Sequence, residues 1–215
     1  MSFGDDLGFV HRFDRSEDAD VALLVLHGTG GNEDDLIPMA RSLAPNAHLL
    51  SPRGKVLENG APRFFRRLAM GVFDIEDLIA RTNELADFVQ RATESYEIDS
   101  TRLFALGYSN GANIAAGLLL LRPELLGGAV LLKAMKPLDP EYEPDLSGIP
   151  VFVAAGRTDQ MIAPAATDSL IELLNECGAD VTVHREPGGH EITPTDVAAA
   201  SAWFADKRPS ARPDR

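Results

Sequence analysis

Along the chain, short unbroken apolar runs alternate with longer stretches in which apolar side chains recur every three or four residues. The runs at residues 21–26, 103–106, 127–132 and 150–155 suit parallel strands covered on both faces. Residues 75–96 suit an amphipathic helix: Ile75, Leu78, Ile79, Thr82, Leu85, Ala86, Val89, Ala92 and Tyr96 keep the rhythm, and Asp74 stands at the N-cap. Further strands are predicted at residues 9–13, as a sheet edge, and at 47–50 and 180–185. Further helices are predicted at residues 36–43, 110–121, 164–177 and 193–206. Residues 110–121 are apolar nearly all round, which predicts a helix buried beneath other elements. Gly178 ends the helix before it, and Trp203 and Phe204 mark the inner face of the last one. Residues 55–73 and 133–149 show no period and read as loops, the second broken by Pro137, Pro140 and Pro144.

Strands alternating with helices predict an α/β fold, a doubly wound, mostly parallel sheet flanked by helices, with ligands bound at the carboxyl ends of its strands. One domain is expected over residues 1–206, and the polar, proline-broken residues 207–215 are expected to be disordered. A chain of 215 residues, 45% hydrophobic and 25% charged, can bury a core without a disulfide or metal staple. Its single cysteine, Cys177, falls in a helical pattern and reads as a small apolar filler. No apolar run approaches the roughly 18 residues of a spanning helix. Residues 1–6 lack the basic-then-apolar pattern of a signal peptide, so a cytoplasmic protein is expected. The formal charge of −13 argues against nucleic acid or an anionic membrane as partner. An exposed sheet edge would allow a homodimer.

Chemistry enters at Gly107-Tyr108-Ser109-Asn110-Gly111, which follows one apolar run and opens the buried helix. A serine between glycines at a strand-to-helix turn fits the strained position that displays a nucleophile. A serine hydroxyl needs a base, and the base needs an acid to hold its tautomer. Of five histidines, His11, His48 and His184 lie in predicted strands, whereas His190 follows the last strand in a glycine-rich loop and is the candidate base. Asp159 follows the strand ending at Ala155 and is the candidate acid, with Glu191 beside the histidine as second choice; as the bland reading, Asp159 caps the turn before Pro164. The N–H groups of Thr29, in the glycine turn after the first central strand, and of Asn110, at the helix start, are candidate oxyanion donors. His27 is read as a structural hydrogen-bonding residue that shapes that turn.

Arg53, Arg63, Arg66 and Arg67 follow the second strand, where a planar guanidinium fork could take a substrate carboxylate or phosphate; ion pairing with the protein's own acids is the alternative for each. Arg53 and Arg66, with Phe64, Phe65, Met135 and Ile162, are assigned to the substrate pocket.

Taken together, Leu26-His27-Gly28-Thr29-Gly30-Gly31, Gly107-Tyr108-Ser109-Asn110-Gly111, Gly156-Arg157-Thr158-Asp159 and Gly188-Gly189-His190 resemble, in that order, the α/β-hydrolase superfamily. Within it the resemblance is to the carboxylesterase and phospholipase branch of small cap-free serine esterases. Residues 53–67 are similar to those of a bacterial subgroup of hydroquinone-linked hydrolases. The resemblance implies a catalytic triad of Ser109, Asp159 and His190, an oxyanion hole at Thr29 and Asn110, and no metal or cofactor. Thr29 stands where acyl-protein thioesterases and lysophospholipases of this branch more often carry an apolar residue, which argues against a long lipid substrate. Residues 133–149 lie where many relatives insert a cap, so an open pocket for small-molecule esters is expected. The predicted function is a serine carboxylesterase acting on small or short-acyl esters through an acyl-enzyme. The alternatives are an acyl thioesterase or lysophospholipase, a non-hydrolytic lyase or perhydrolase, and a ligand-binding module, which would lack a triad member.

Overall fold

A computed structural model describes residues 2–4 and 7–208. Its strands are β1 (Ser2–Gly4), β2 (His11–Asp14), β3 (Ala22–Leu26), β4 (His48–Pro52), β5 (Val56–Glu58), β6 (Ala61–Arg63), β7 (Arg67–Ala69), β8 (Val72–Phe73), β9 (Leu103–Tyr108), β10 (Gly128–Leu132), β11 (Pro150–Gly156) and β12 (Asp180–Glu186). Its helices are α1 (Ile37–Leu43), α2 (Ile75–Tyr96), α3 (Asn110–Leu121), α4 (Pro164–Glu176) and α5 (Pro194–Lys207).

An eight-stranded sheet runs in the order β1-β2-β4-β3-β9-β10-β11-β12. From β4 to β12 all neighbours pair parallel, while β1 and β2 pair antiparallel at one end. The unbroken apolar runs follow from this arrangement. Leu24 and Leu26 face one core with Ala105 and Leu131, whereas Leu23 and Val25 face the other with Phe104, Leu106 and Val130. Successive strand side chains point to opposite faces, so both faces must be apolar where helices cover both. Helices α2, α3 and α4 cover the first face, and α1 and α5 the second. Asp74 caps α2 by accepting from the Asp77 N–H, and Thr193 and Asp196 form a capping box on α5.

Two expectations are corrected. The strand predicted at residues 9–13 is not an edge, because β1 pairs outside it; a three-residue strand is too short to show a period. Residues 55–73 are not a featureless loop but two hairpins, β5-β6 and β7-β8. Asn59 and Gly60 both take positive φ, 51° and 85°, as a two-residue hairpin turn of the right hand requires. The asparagine-glycine pair carried that signal. The link between β10 and β11 contains neither helix nor strand, as expected. Lys207 closes α5, and residues 209–215 of the predicted tail lie outside the described residues. No helix among the described residues is long and apolar enough to cross a membrane.

Candidate active site

The parallel strands deliver the candidate residues to one end of the sheet. Ser109 follows β9 directly with φ 52° and ψ −112°, a sparsely populated conformation for a residue with a side chain. It is held there from both sides: its N–H donates to the Leu132 carbonyl and its carbonyl accepts from the Asn113 N–H, each at 2.9 Å. The flanking glycines are sterically required. A Cβ on Gly107 would come 2.6 Å from Ala112 Cα, and one on Gly111 would collide with the carbonyl of Leu26.

His190 closes a hydrogen-bonded chain across this turn. Its Nε2 lies 2.8 Å from Ser109 Oγ and its Nδ1 lies 2.8 Å from Asp159 Oδ2. The other Asp159 oxygen accepts the N–H groups of Met161 and Ile162, at 2.8 and 2.9 Å, so the helix-cap-like bonds and the histidine contact use different oxygens. A carboxylate at Nδ1 requires the proton on that nitrogen and leaves Nε2 to accept from the serine. Tyr108 donates to the His190 carbonyl at 3.1 Å, and burial first, then Asp159 and Glu191, raise its pKa, so the phenol stays a donor.

The glycine turn after β3 comes alongside. His27 is buried, its Nδ1 donating to the Gly28 carbonyl at 2.7 Å while its Nε2 accepts the Gly54 N–H at 3.0 Å. It therefore ties the turn to the end of β4, and burial is the main cause of its lowered pKa. The N–H groups of Thr29 and Asn110 make no backbone hydrogen bond among the described residues. The Asn110 side chain accepts from the Phe64 N–H at 2.7 Å, which binds the first hairpin to the Ser109 turn.

A cleft of about 330 Å³ opens over Ser109 and His190. Thr29 and Asn110 line it, as do Met135 and Ile162 from the sequence assignment. The other four assigned side chains stand elsewhere. Arg53 is paired with Glu33 through Nε and Nη2, at 2.5 and 2.6 Å. Arg66 reaches Asp74 at 2.9 Å and points to solvent. Phe64 and Phe65 are buried, the first against the His27 ring and the second edge-on to Phe73. The arginines that do line the cleft are Arg63 and Arg67, joined by Met70, Phe73, Asn113 and Met161. Arg63 donates through Nη1 to Thr29 Oγ1 at 2.7 Å and through Nε to the Phe65 carbonyl at 3.0 Å.

Behind the His190 loop lies a charged group built on Lys133, the first residue of the 133–149 link, which no local sequence pattern marks. Lys133 is fully buried, with Nζ 2.8 Å from Asp196 and 3.7 Å from Glu186. His184, Glu186 and Asp196 bring ligand-capable atoms within 4.8 Å of one another, and the ammonium stands among them as counter-charge.

A mostly parallel sheet with its strained serine turn at the carboxyl end, facing a histidine and an aspartate from later strands, defines an α/β-hydrolase fold. A family model described as phospholipase/carboxylesterase matches residues 13–206, and the chain belongs to that family. It is 46% identical over 188 residues to MhqD of Bacillus subtilis (strain 168), covering 87% of this chain and 94% of that one. The crystal structure of the Bacillus cereus carboxylesterase superposes with a TM-score of 0.92 at 46% identity, over 94% of this chain and 96% of that one. The structure of YahD with malic acid superposes with a TM-score of 0.87 at 30% identity, over 93% and 99% of the two chains. The protein is thus a hydrolase of the carboxylesterase and phospholipase class.

Proposed function

We propose that the protein is a serine carboxylesterase that hydrolyses small or short-acyl esters through an acyl-enzyme. One observation carries the reading: the continuous hydrogen-bonded chain from Ser109 Oγ through His190 to Asp159, at 2.8 Å for each link. Ser109 Oγ attacks the ester carbonyl carbon as its proton passes to His190 Nε2. The carbonyl oxygen becomes an oxyanion, which the N–H groups of Thr29 and Asn110 receive; each such donor lowers the barrier by about 3–4 kcal/mol. Asp159 keeps the imidazole in register and stabilises its charge. Collapse of the intermediate breaks the carbon–oxygen bond to the alcohol, which leaves with the proton from His190. Water then gives a proton to His190 and attacks the acyl-serine, releasing the acid and restoring Ser109. The uncapped cleft of about 330 Å³ supports small substrates over long acyl chains.

The test is Ser109→Ala assayed on p-nitrophenyl acetate and butyrate. The expected loss in kcat is about 10⁴- to 10⁶-fold, with circular dichroism and melting unchanged within a few degrees. Activity within tenfold of the parent would overturn the proposal.

A further inference from the structure

The cleft wall contributed by the hairpins carries more positive charge than its own acids neutralise. Arg63 and Arg67 share a single carboxylate, Glu58, whose oxygens lie 3.1 Å from Arg63 Nη1 and 2.9 Å from Arg67 Nε. The neighbouring arginines differ, since Arg53 has Glu33 and Arg66 has Asp74. A guanidinium has five N–H bonds to place. Arg63 donates through Nε to the Phe65 carbonyl and through Nη1 to Thr29, with Glu58 in ion-pair range of Nη1 at 3.1 Å. Arg67 places Nε on Glu58 and Nη1 on the Met70 sulfur, a weak acceptor. Neither Nη2 donates a hydrogen bond among the described residues, although the Arg63 guanidinium also stands over the Phe65 ring at 5.8 Å, and both side chains line the cleft beside Ser109. The pair therefore leaves one unit of positive charge at the cleft, in a chain whose formal charge is −13.

Such an excess is costly to maintain in a partly buried wall. The Arg63 side chain is only 3% exposed, and its pKa is lowered first by burial and then by Arg67. An anion arriving in the cleft would relieve the repulsion and find preorganised donors. Arg63 also touches Thr29, so an anion held here lies within one side chain of the proposed oxyanion donor. Met135, Met161 and Ile162 supply apolar lining without a competing cation.

We infer that Arg63 and Arg67 form an anion subsite, and that the preferred substrates are small esters bearing a carboxylate a few bonds from the reacting carbonyl. This rests on the serine-esterase reading of the same cleft. The carboxylate bridges the two Nη2 groups while the ester carbonyl lies at Ser109, and no bond to the carboxylate forms or breaks.

The experiment compares monomethyl succinate with methyl butyrate by pH-stat, because the two acyl chains differ only in carboxylate against methyl. The parent is expected to favour monomethyl succinate in kcat/KM by about tenfold or more, and Arg67→Gln and Arg63→Gln each to cut that ratio by about tenfold. Raising the salt should cut it too. A parent ratio at or below one, with methyl butyrate turned over, would reject the subsite and leave the esterase reading standing. Calorimetric binding of succinate decides the subsite separately from hydrolysis. Succinate should bind the parent and lose about tenfold in affinity in Arg67→Gln, whose side chain is the more exposed of the two; absence of binding to the parent would overturn the inference. If neither ester is hydrolysed and a fluorophosphonate leaves Ser109 unlabelled while succinate still binds, the esterase reading falls and the anion site remains.

Discussion

His27 shows how much a single residue can be asked to do away from the reacting atoms. Its ring bridges Gly28 and Gly54, and so fixes the turn that carries Thr29. Only the neutral imidazole can donate through one nitrogen and accept through the other. Burial accordingly lowers its pKa from the ordinary histidine value. The sign follows directly: as pH falls below the ordinary histidine range, the unfolded chain takes up a proton that the folded ring resists, and stability drops until the folded pKa is passed. Guanidinium midpoints should therefore fall between pH 7.5 and pH 5, and His27→Gln should show a shallower fall than the parent; equal slopes would contradict this. His48, also lowered by burial, accounts for a remaining share. At this scale the sequence was most informative where a residue sits directly at a strand end. Ser109, Asp159 and His190 each follow a predicted strand, so their convergence was legible. The arginines were not, because whether Arg53 or Arg63 turns inward depends on where Glu33 and Glu58 stand.

At the scale of elements, the strand-turn-helix around Ser109 is local in its chemistry but not in its sterics. Gly111 lies against the Leu26 carbonyl of the neighbouring strand, so any side chain there must push β3 and α3 apart. Gly111→Ala is expected to cost about 2–3 kcal/mol, read as a melting point lower by roughly 4–12 °C. Gly60 points to no neighbour within 4 Å, so an alanine there should cost less despite its positive φ; a smaller shift for Gly111 than for Gly60 would refute the steric account. The hairpins of residues 55–73 escaped detection for the opposite reason. Their strands are two or three residues long, below the length at which alternation can be seen, and only the turn residues announce them. Yet these hairpins place Arg63, Arg67 and Phe73 at the cleft.

Across the whole molecule, Lys133 ties together parts of the chain that the local patterns treat separately. It follows β10, Glu186 ends β12, and Asp196 lies in the first turn of α5, so its ammonium grips both ends of the segment that carries His190. Removing the cation would strand two acids in a dry site. Lys133→Met is expected to lose about 3–5 kcal/mol in denaturant titration, and the double variant Lys133→Met/Asp196→Asn to recover part of it. If the single substitution is neutral, the ion pair does not hold that loop.

The sequence by itself determined the parallel strands of the sheet and the identity of the serine, histidine and aspartate that follow their carboxyl ends. Those follow from signals that act over a few residues: the periods of strand and helix, and the glycines that only one sharp turn requires. Tertiary structure decided which side chains face the cleft, and with them the charge a substrate meets. A guanidinium's direction is set by the carboxylate it finds, and Glu58, Thr29 and Arg63 come together only when the β5-β6 hairpin folds back over the glycine turn, with the Gly30 N–H on the Pro62 carbonyl at 2.9 Å.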